Sequence, residues 1–174
     1  MIELGLLLLE SVGLSWRVTS MVLRRAERWQ LVQSPKHRSS HELPTPNGGG
    51  LGVVVASSVV GVWLAWSGTS QLWPVLALSL PLAWMGLRDD VKHLSAKLRF
   101  AVQLAAVLGL LAALGGLPPL AIWAGIRLDG WLLLGLLLLA GAWWINLFNF
   151  MDGIDGVAGM QAAFMLLGGA GLAA

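Results

Sequence analysis

The chain has 174 residues, 57% hydrophobic and only 11% charged, with a formal net charge of +2, far below the roughly 25% charged content of soluble domains. This balance excludes a water-soluble globular domain, and the absence of cysteine excludes a disulfide framework and a thiolate metal site. The expected fold class is all-α, a polytopic transmembrane helical bundle forming one integral membrane domain, in which hard, oxygen-ligated metals remain open as ligands.

A spanning helix requires about 20 mostly apolar residues, and six segments qualify: 2–23, 50–66, 72–87, 98–117, 131–148 and 157 to the last residue. In the first, Glu3, Glu10, Arg17 and Arg24 recur every seven residues, so they line one side of a helix that is expected to face other helices rather than lipid. A cleaved signal peptide would begin with a basic region. Here Glu3 leads and the first basic residue is Arg17, so a retained helix is expected. The second and third segments are separated by SGTSQ, residues 67–71, which reads as a tight polar turn. Pro74 then suits a first helical turn. Pro118 and Pro119 are expected to end the fourth helix and open an irregular loop carrying Arg127 and Asp129.

The basic residues orient the chain. Of eleven Lys and Arg, only Arg17 and Arg127 lie outside the two connections that follow the first and third helices. By the positive-inside rule those connections are cytoplasmic and the N-terminus is outside. The expected cytoplasmic segments, about 24–49, 88–97 and 149–156, thus bring together HRSSHELPTPNGGG (37–50), GLRDDVKHLSAK (86–97) and NLFNFMDGIDG (146–156).

Asp152 and Asp155 interrupt an otherwise charge-free stretch and, three apart, can share a helix face. Gly153 and Gly156 leave the backbone beside them bare for a ligand. Asp89 and Asp90 end a helix, where charges at a membrane boundary are ordinary. Four carboxylates at one membrane face nevertheless repel one another unless a divalent cation or basic residues neutralise them. Magnesium fits, because it takes oxygen ligands, commonly one or two carboxylates with substrate phosphates. Lys92 and Arg99 read as anchors at the lipid headgroups, whereas Lys97 reads equally as an anchor or as a phosphate contact. His37 and His93 read as solvated loop residues. The run from Gly48 to Gly50 either presents N–H groups to an anion or leads flexibly into the second helix with Asn47 as its cap. Asn146 and Asn149 share a helix face and either bond neighbouring helices or orient the carboxylates. Trp143 and Trp144 read as an interfacial aromatic belt.

Taken together, RSSHELPTPNGGG, GLRDDVKHLSAKLRFAVQ and NLFNFMDGIDG resemble, in order and topology, the polyprenyl-phosphate N-acetylhexosamine-1-phosphate transferases. The NFMDGIDG spelling looks most like the branch that initiates O-antigen, a component of lipopolysaccharide. The resemblance implies a bacterial inner-membrane enzyme that transfers N-acetylhexosamine-1-phosphate from a UDP-sugar to undecaprenyl phosphate and releases UMP. Its implied cofactor is magnesium, with manganese as an alternative. By motif position it implies catalytic roles for Asp89, Asp90, Asp152 and Asp155, with Asp152 and Asp155 on the metal. Substrate contacts fall to His41, Lys97, Asn146 and Asn149. The implied partners are undecaprenyl phosphate, a UDP-N-acetylhexosamine and the bilayer, with a second copy as a candidate and no nucleic acid.

Asn47 departs from the resemblance, standing where relatives commonly carry a basic residue. The chain also stops within its sixth helix, where such transferases continue with further helices and cytoplasmic loops, so it is expected to be the N-terminal part of a longer transferase. A competing class is a small transporter or lipid-binding subunit in which Glu3, Glu10 and Arg17 line a path. A transporter gathers its polar residues near mid-bilayer, whereas these motifs gather at one face.

Overall fold

The computed structural model describes residues 2–33, 45–117, 119–123, 125–151 and 157–173. Its helices are α1 (Ile2–Arg25), α2 (Gly50–Trp66), α3 (Leu72–Val91), α4 (Ala96–Ala113), α5 (Gly130–Met151) and α6 (Val157–Ala173). Two short antiparallel ladders accompany them: β1 (Val32–Gln33) with β2 (Thr45–Pro46), and β3 (Leu120–Trp123) with β4 (Ile126–Leu128). Each helix packs on its neighbour in sequence from α1 through α6. The fold is an all-α membrane bundle. Gly5–Arg25, Ala96–Ala113 and Gly130–Phe150 are long and apolar enough to cross a membrane, and α2 and α6 contribute shorter apolar helices.

Helix ends follow local chemistry more closely than hydropathy. α1 runs beyond residue 23 because Arg24 and Arg25 suit the negative end of the helix dipole. α3 runs past residue 87 to Val91, with Arg88 in its last turn, so Asp89 and Asp90 are helical. Ser95 caps α4, its Oγ accepting from the Leu98 N–H at 3.3 Å, which starts that helix earlier than expected. α4 stops at Ala113, before the prolines, where Gly115 and Gly116 take φ of 80° and 123°. The segment read as an irregular loop is instead the β3–β4 hairpin with a register shift between Ala121 and Trp123. The turn after α2 is as tight as expected: Thr69 N–H donates to Leu64 O at 3.0 Å, and Trp66 meets Trp73 edge-on.

The core of buried residues sits at the end of the bundle that carries the basic links. Val22, Ala26 and Leu31 are buried together, flanked by Val18, Val32, Leu51, Leu87 and Val91. The end of α1, the β1–β2 ladder, the start of α2 and the last turn of α3 are therefore one packed unit. Gly48 makes this possible. It takes φ +84°, and a Cβ there would meet Leu31 Cδ1 at 3.2 Å. The glycine run is thus a fixed turn, and Asn47 is not the cap of α2. The Asn47 N–H donates to Leu31 O at 2.6 Å, and the cap position falls to Gly49 with no side-chain bond.

α1 meets α2 through Gly52, where an added Cβ would lie 2.6 Å from Ser15 O and closer still to Thr19 Oγ1. Thr19 Oγ1 also donates to Gly49 O at 3.2 Å. Small residues that let two backbones approach are a common basis of helix pairing in membranes. Gly52→Leu is expected to force the pair apart and lower stability by about 2 to 3 kcal/mol, read as a fall in Tm in detergent. Gly135→Leu, where an added Cβ meets nothing within 4 Å, should leave Tm nearly unchanged. Equal shifts would remove Gly52 from the interface argument.

With the Ser15, Thr19 and Val22 side turned to α2, the charged side of α1 is left outward. Glu10, Arg17 and Arg24 are exposed, and no helix among the described residues covers them.

Candidate functional site

The predicted residues of the acidic link lie on α3 and at the start of α4. Asp89 is largely buried and both its oxygens are engaged: Oδ1 accepts from the Leu94 N–H at 2.7 Å, and Oδ2 is paired with Arg99 Nη1 at 2.9 Å. The same contact closes the helix–link–helix corner and neutralises one carboxylate of the pair. Arg99, read from sequence as a headgroup anchor, is therefore an internal counter-ion. Its side chain is still 37% exposed. Asp90 is half-buried beside it. Lys97 is exposed on the first turn of α4, and among the described residues it forms no ion pair with the acidic link.

One turn along α4 from Arg99 lies Gln103, which the sequence reading passed over. Residues four apart share a helix face, and Gln103, only 4% exposed, faces α5. There it exchanges hydrogen bonds with Asn146. Asn146 Nδ2 donates to Gln103 Oε1 at 2.7 Å, and Gln103 Nε2 donates to Asn146 Oδ1 at 3.4 Å. Asn146 Nδ2 also donates to Ala142 O at 2.8 Å. Asn146 thus makes the bond to a neighbouring helix, and the carboxylates of its other reading, Asp152 and Asp155, lie outside the described residues. Asn149, one turn nearer the end of α5, is exposed on the same face. Trp143 and Trp144 are exposed as well, as expected for an aromatic belt.

These pairs couple three helices in a row: α3 to α4 through Asp89 and Arg99, then α4 to α5 through Gln103 and Asn146. The base of the segment 34–44 is held on the same end, because Val32 of β1 packs on the buried Val22–Ala26–Leu31 cluster, as do Leu87 and Val91, which flank the acidic pair on α3, and β2 pairs with β1. His41, Asp152 and Asp155 lie outside the described residues. The first belongs to the segment between β1 and β2, and the two aspartates belong to the connection between α5 and α6.

Among the described residues no group of three or more His, Asp or Glu is placed to hold a metal ion. Asp89, committed to Arg99 and a backbone N–H, is a poor candidate ligand. The donor types present at this end, carboxylates and amide oxygens with no thiolate, fit a hard cation. The described residues alone do not complete such a site.

The sequence profile of glycosyl transferase family 4 matches residues 72–174. Over 169 residues the chain is 30% identical to the decaprenyl-phosphate N-acetylglucosaminephosphotransferase of Mycobacterium leprae, covering 90% of this chain and 42% of that protein. Over 168 residues it is 24% identical to a probable undecaprenyl-phosphate N-acetylglucosaminyl 1-phosphate transferase of Bacillus subtilis, covering 87% of this chain and 42% of that one. It thus spans about two fifths of the length of these relatives. No solved structure matches it significantly.

Proposed function

Because the chain belongs to glycosyl transferase family 4, we propose that it serves in transfer of N-acetylhexosamine-1-phosphate from a UDP-sugar to a polyprenyl phosphate. N-acetylglucosamine is the favoured sugar, since both relatives are named for it. Undecaprenyl phosphate is the favoured acceptor, and initiation of a cell-envelope polysaccharide such as O-antigen is the proposed role. An oxygen of the acceptor phosphate attacks the β-phosphorus of the donor. The new oxygen–phosphorus bond forms as the bond to the α-phosphate breaks, and UMP leaves with that oxygen.

Such a transfer needs little covalent help from protein and depends on positioning and on neutralising charge. The observation that supports the reading is the coupling of α3, α4 and α5 by Asp89–Arg99 and Gln103–Asn146 at the end where the segment 34–44 is anchored. This coupling fixes the backbone on either side of Asp90 and beside Asn149. The α5–α6 connection with Asp152 and Asp155 leaves the same end of α5. Magnesium, when bound by Asp152 and Asp155, supplies charge neutralisation at the diphosphate oxygens. Lys97 and Asn149, both exposed at this end, are proposed to contact substrate together with His41. The end itself is proposed to be cytoplasmic, where a nucleotide sugar is available and the acceptor's head lies at the interface.

The test is UMP release by the chain in detergent, supplied with undecaprenyl phosphate, magnesium and UDP-N-acetylglucosamine or another UDP-N-acetylhexosamine. Release that requires both substrates and stops on adding EDTA supports the reading. Absence of release together with absence of magnesium-dependent UDP-sugar binding overturns it.

A further inference from the structure

A second feature lies on α3 and α4, away from the stripe that carries Gln103. Pro81, Trp84, Met85 and Arg88 follow one face of α3, Lys92 stands at its C-cap, and Leu94, Leu98 and Val102 recur every four residues from the link into α4. Together they line a groove of about 360 Å³. Its walls are apolar, and its charged members, Arg88 and Lys92, lie one turn apart at the end of α3. Trp84 is 62% exposed and Leu98 48%, so the groove is open on the outside of the helix pair.

The charges differ from those of the neighbouring site. Arg99 is neutralised by Asp89. Among the described residues neither Arg88 nor Lys92 forms an ion pair, and the Arg88 guanidinium is held over the Trp84 ring at 5.1 Å. A cation stacked on an exposed indole is held in place without losing its charge, and it leaves N–H groups of the fork for an anion. The groove therefore pairs an apolar trough along the helices with two cations that form no ion pair among the described residues. Basic pockets between membrane helices bind anionic lipid headgroups for this reason.

We propose that the α3–α4 groove is a binding site for an anionic glycerophospholipid, its phosphate against Arg88 and Lys92 and an acyl chain along Trp84, Met85, Leu98 and Val102. This site is separate from the proposed transfer reaction and does not depend on it. An occupied groove would brace the α3–α4 corner beside the Asp89–Arg99 pair, since the groove residue Leu94 donates its N–H to Asp89.

Native mass spectrometry of the whole chain in detergent, titrated with phosphatidylglycerol or phosphatidylcholine, tests the proposal. One phosphatidylglycerol is expected to be retained about tenfold more tightly than phosphatidylcholine. Arg88→Gln and Lys92→Gln should each weaken it roughly fivefold, whereas Arg28→Gln, outside the groove, should leave it unchanged. Leu98→Trp fills the trough from an exposed position and should weaken retention with the charges intact. Equal retention of the two lipids, or full retention by the Arg88→Gln/Lys92→Gln variant, would overturn the assignment. So would displacement of phosphatidylglycerol by equimolar undecaprenyl phosphate, which would make the groove a berth for the carrier lipid.

Discussion

Replacing Asp152 or Asp90 by Asn is expected to lower UMP release by about a thousandfold, the scale on which removing one preorganised electrostatic contact slows a reaction. Asn keeps the size of the side chain and removes only its charge, so insertion and helicity should survive. The two positions are singled out for different reasons. Asp152 is the first carboxylate of the MDGID motif in an otherwise charge-free stretch, where a carboxylate is costly on insertion scales and a bound cation offsets that cost. Asp90 is singled out by motif position, as the second of the paired aspartates that the resemblance assigns to the reaction, and it stands half-buried beside Asp89 at the end of α3. Turnover with purified variants, checked for unchanged circular dichroism, decides the matter. Near-normal turnover of Asp90→Asn would return that residue to the bland reading, a charge at a helix end.

The pairing of Asp89 with Arg99 was not legible in the sequence. Helices were, since apolar runs of membrane length leave few alternatives, and the polar turn after α2 was equally plain. Neighbouring Asp89 and Asp90 look alike in one dimension, and the Arg that engages Asp89 lies ten residues away across a link whose path sequence does not specify. Reading Arg99 as a surface anchor followed from counting charges rather than placing them. Gln103 had a weak signal. It is the sole uncharged polar side chain in α4, and a lone amide in an apolar helix commonly bonds a neighbouring helix. Its spacing of four from Arg99 would have aligned it with the acidic link. The face that α1 turns to α2 was not legible either, because heptad spacing reveals that residues share a face but not which face is taken. That choice belongs to Gly52, whose missing Cβ admits the Ser15 and Thr19 side of α1.

The Asp89–Arg99 pair leads to the second large effect. Asp89 is 22% exposed and Arg99 37%, a setting between a solvated surface pair, worth about 0 to 1 kcal/mol, and a buried one, whose disruption costs about 3 to 5 kcal/mol. Arg99→Gln should therefore cost about 1 to 2 kcal/mol of stability, because it strands a half-buried carboxylate. Turnover should also fall, by about tenfold or more, as the α3–α4 corner loosens beneath Asp90 and small misplacements are expensive in a positioned reaction. Asp89→Asn in the Arg99→Gln background removes the stranded charge, and its amide oxygen still accepts the Leu94 N–H. The double variant should then be more stable than Arg99→Gln alone, giving a coupling energy of about 1 kcal/mol. Thermal unfolding and turnover of both single variants and the double variant measure that coupling. Strict additivity would mean that the ion pair neither holds the corner nor steadies its neighbour, and the corner would then rest on Ser95 and the packing of Leu87 and Val91 alone.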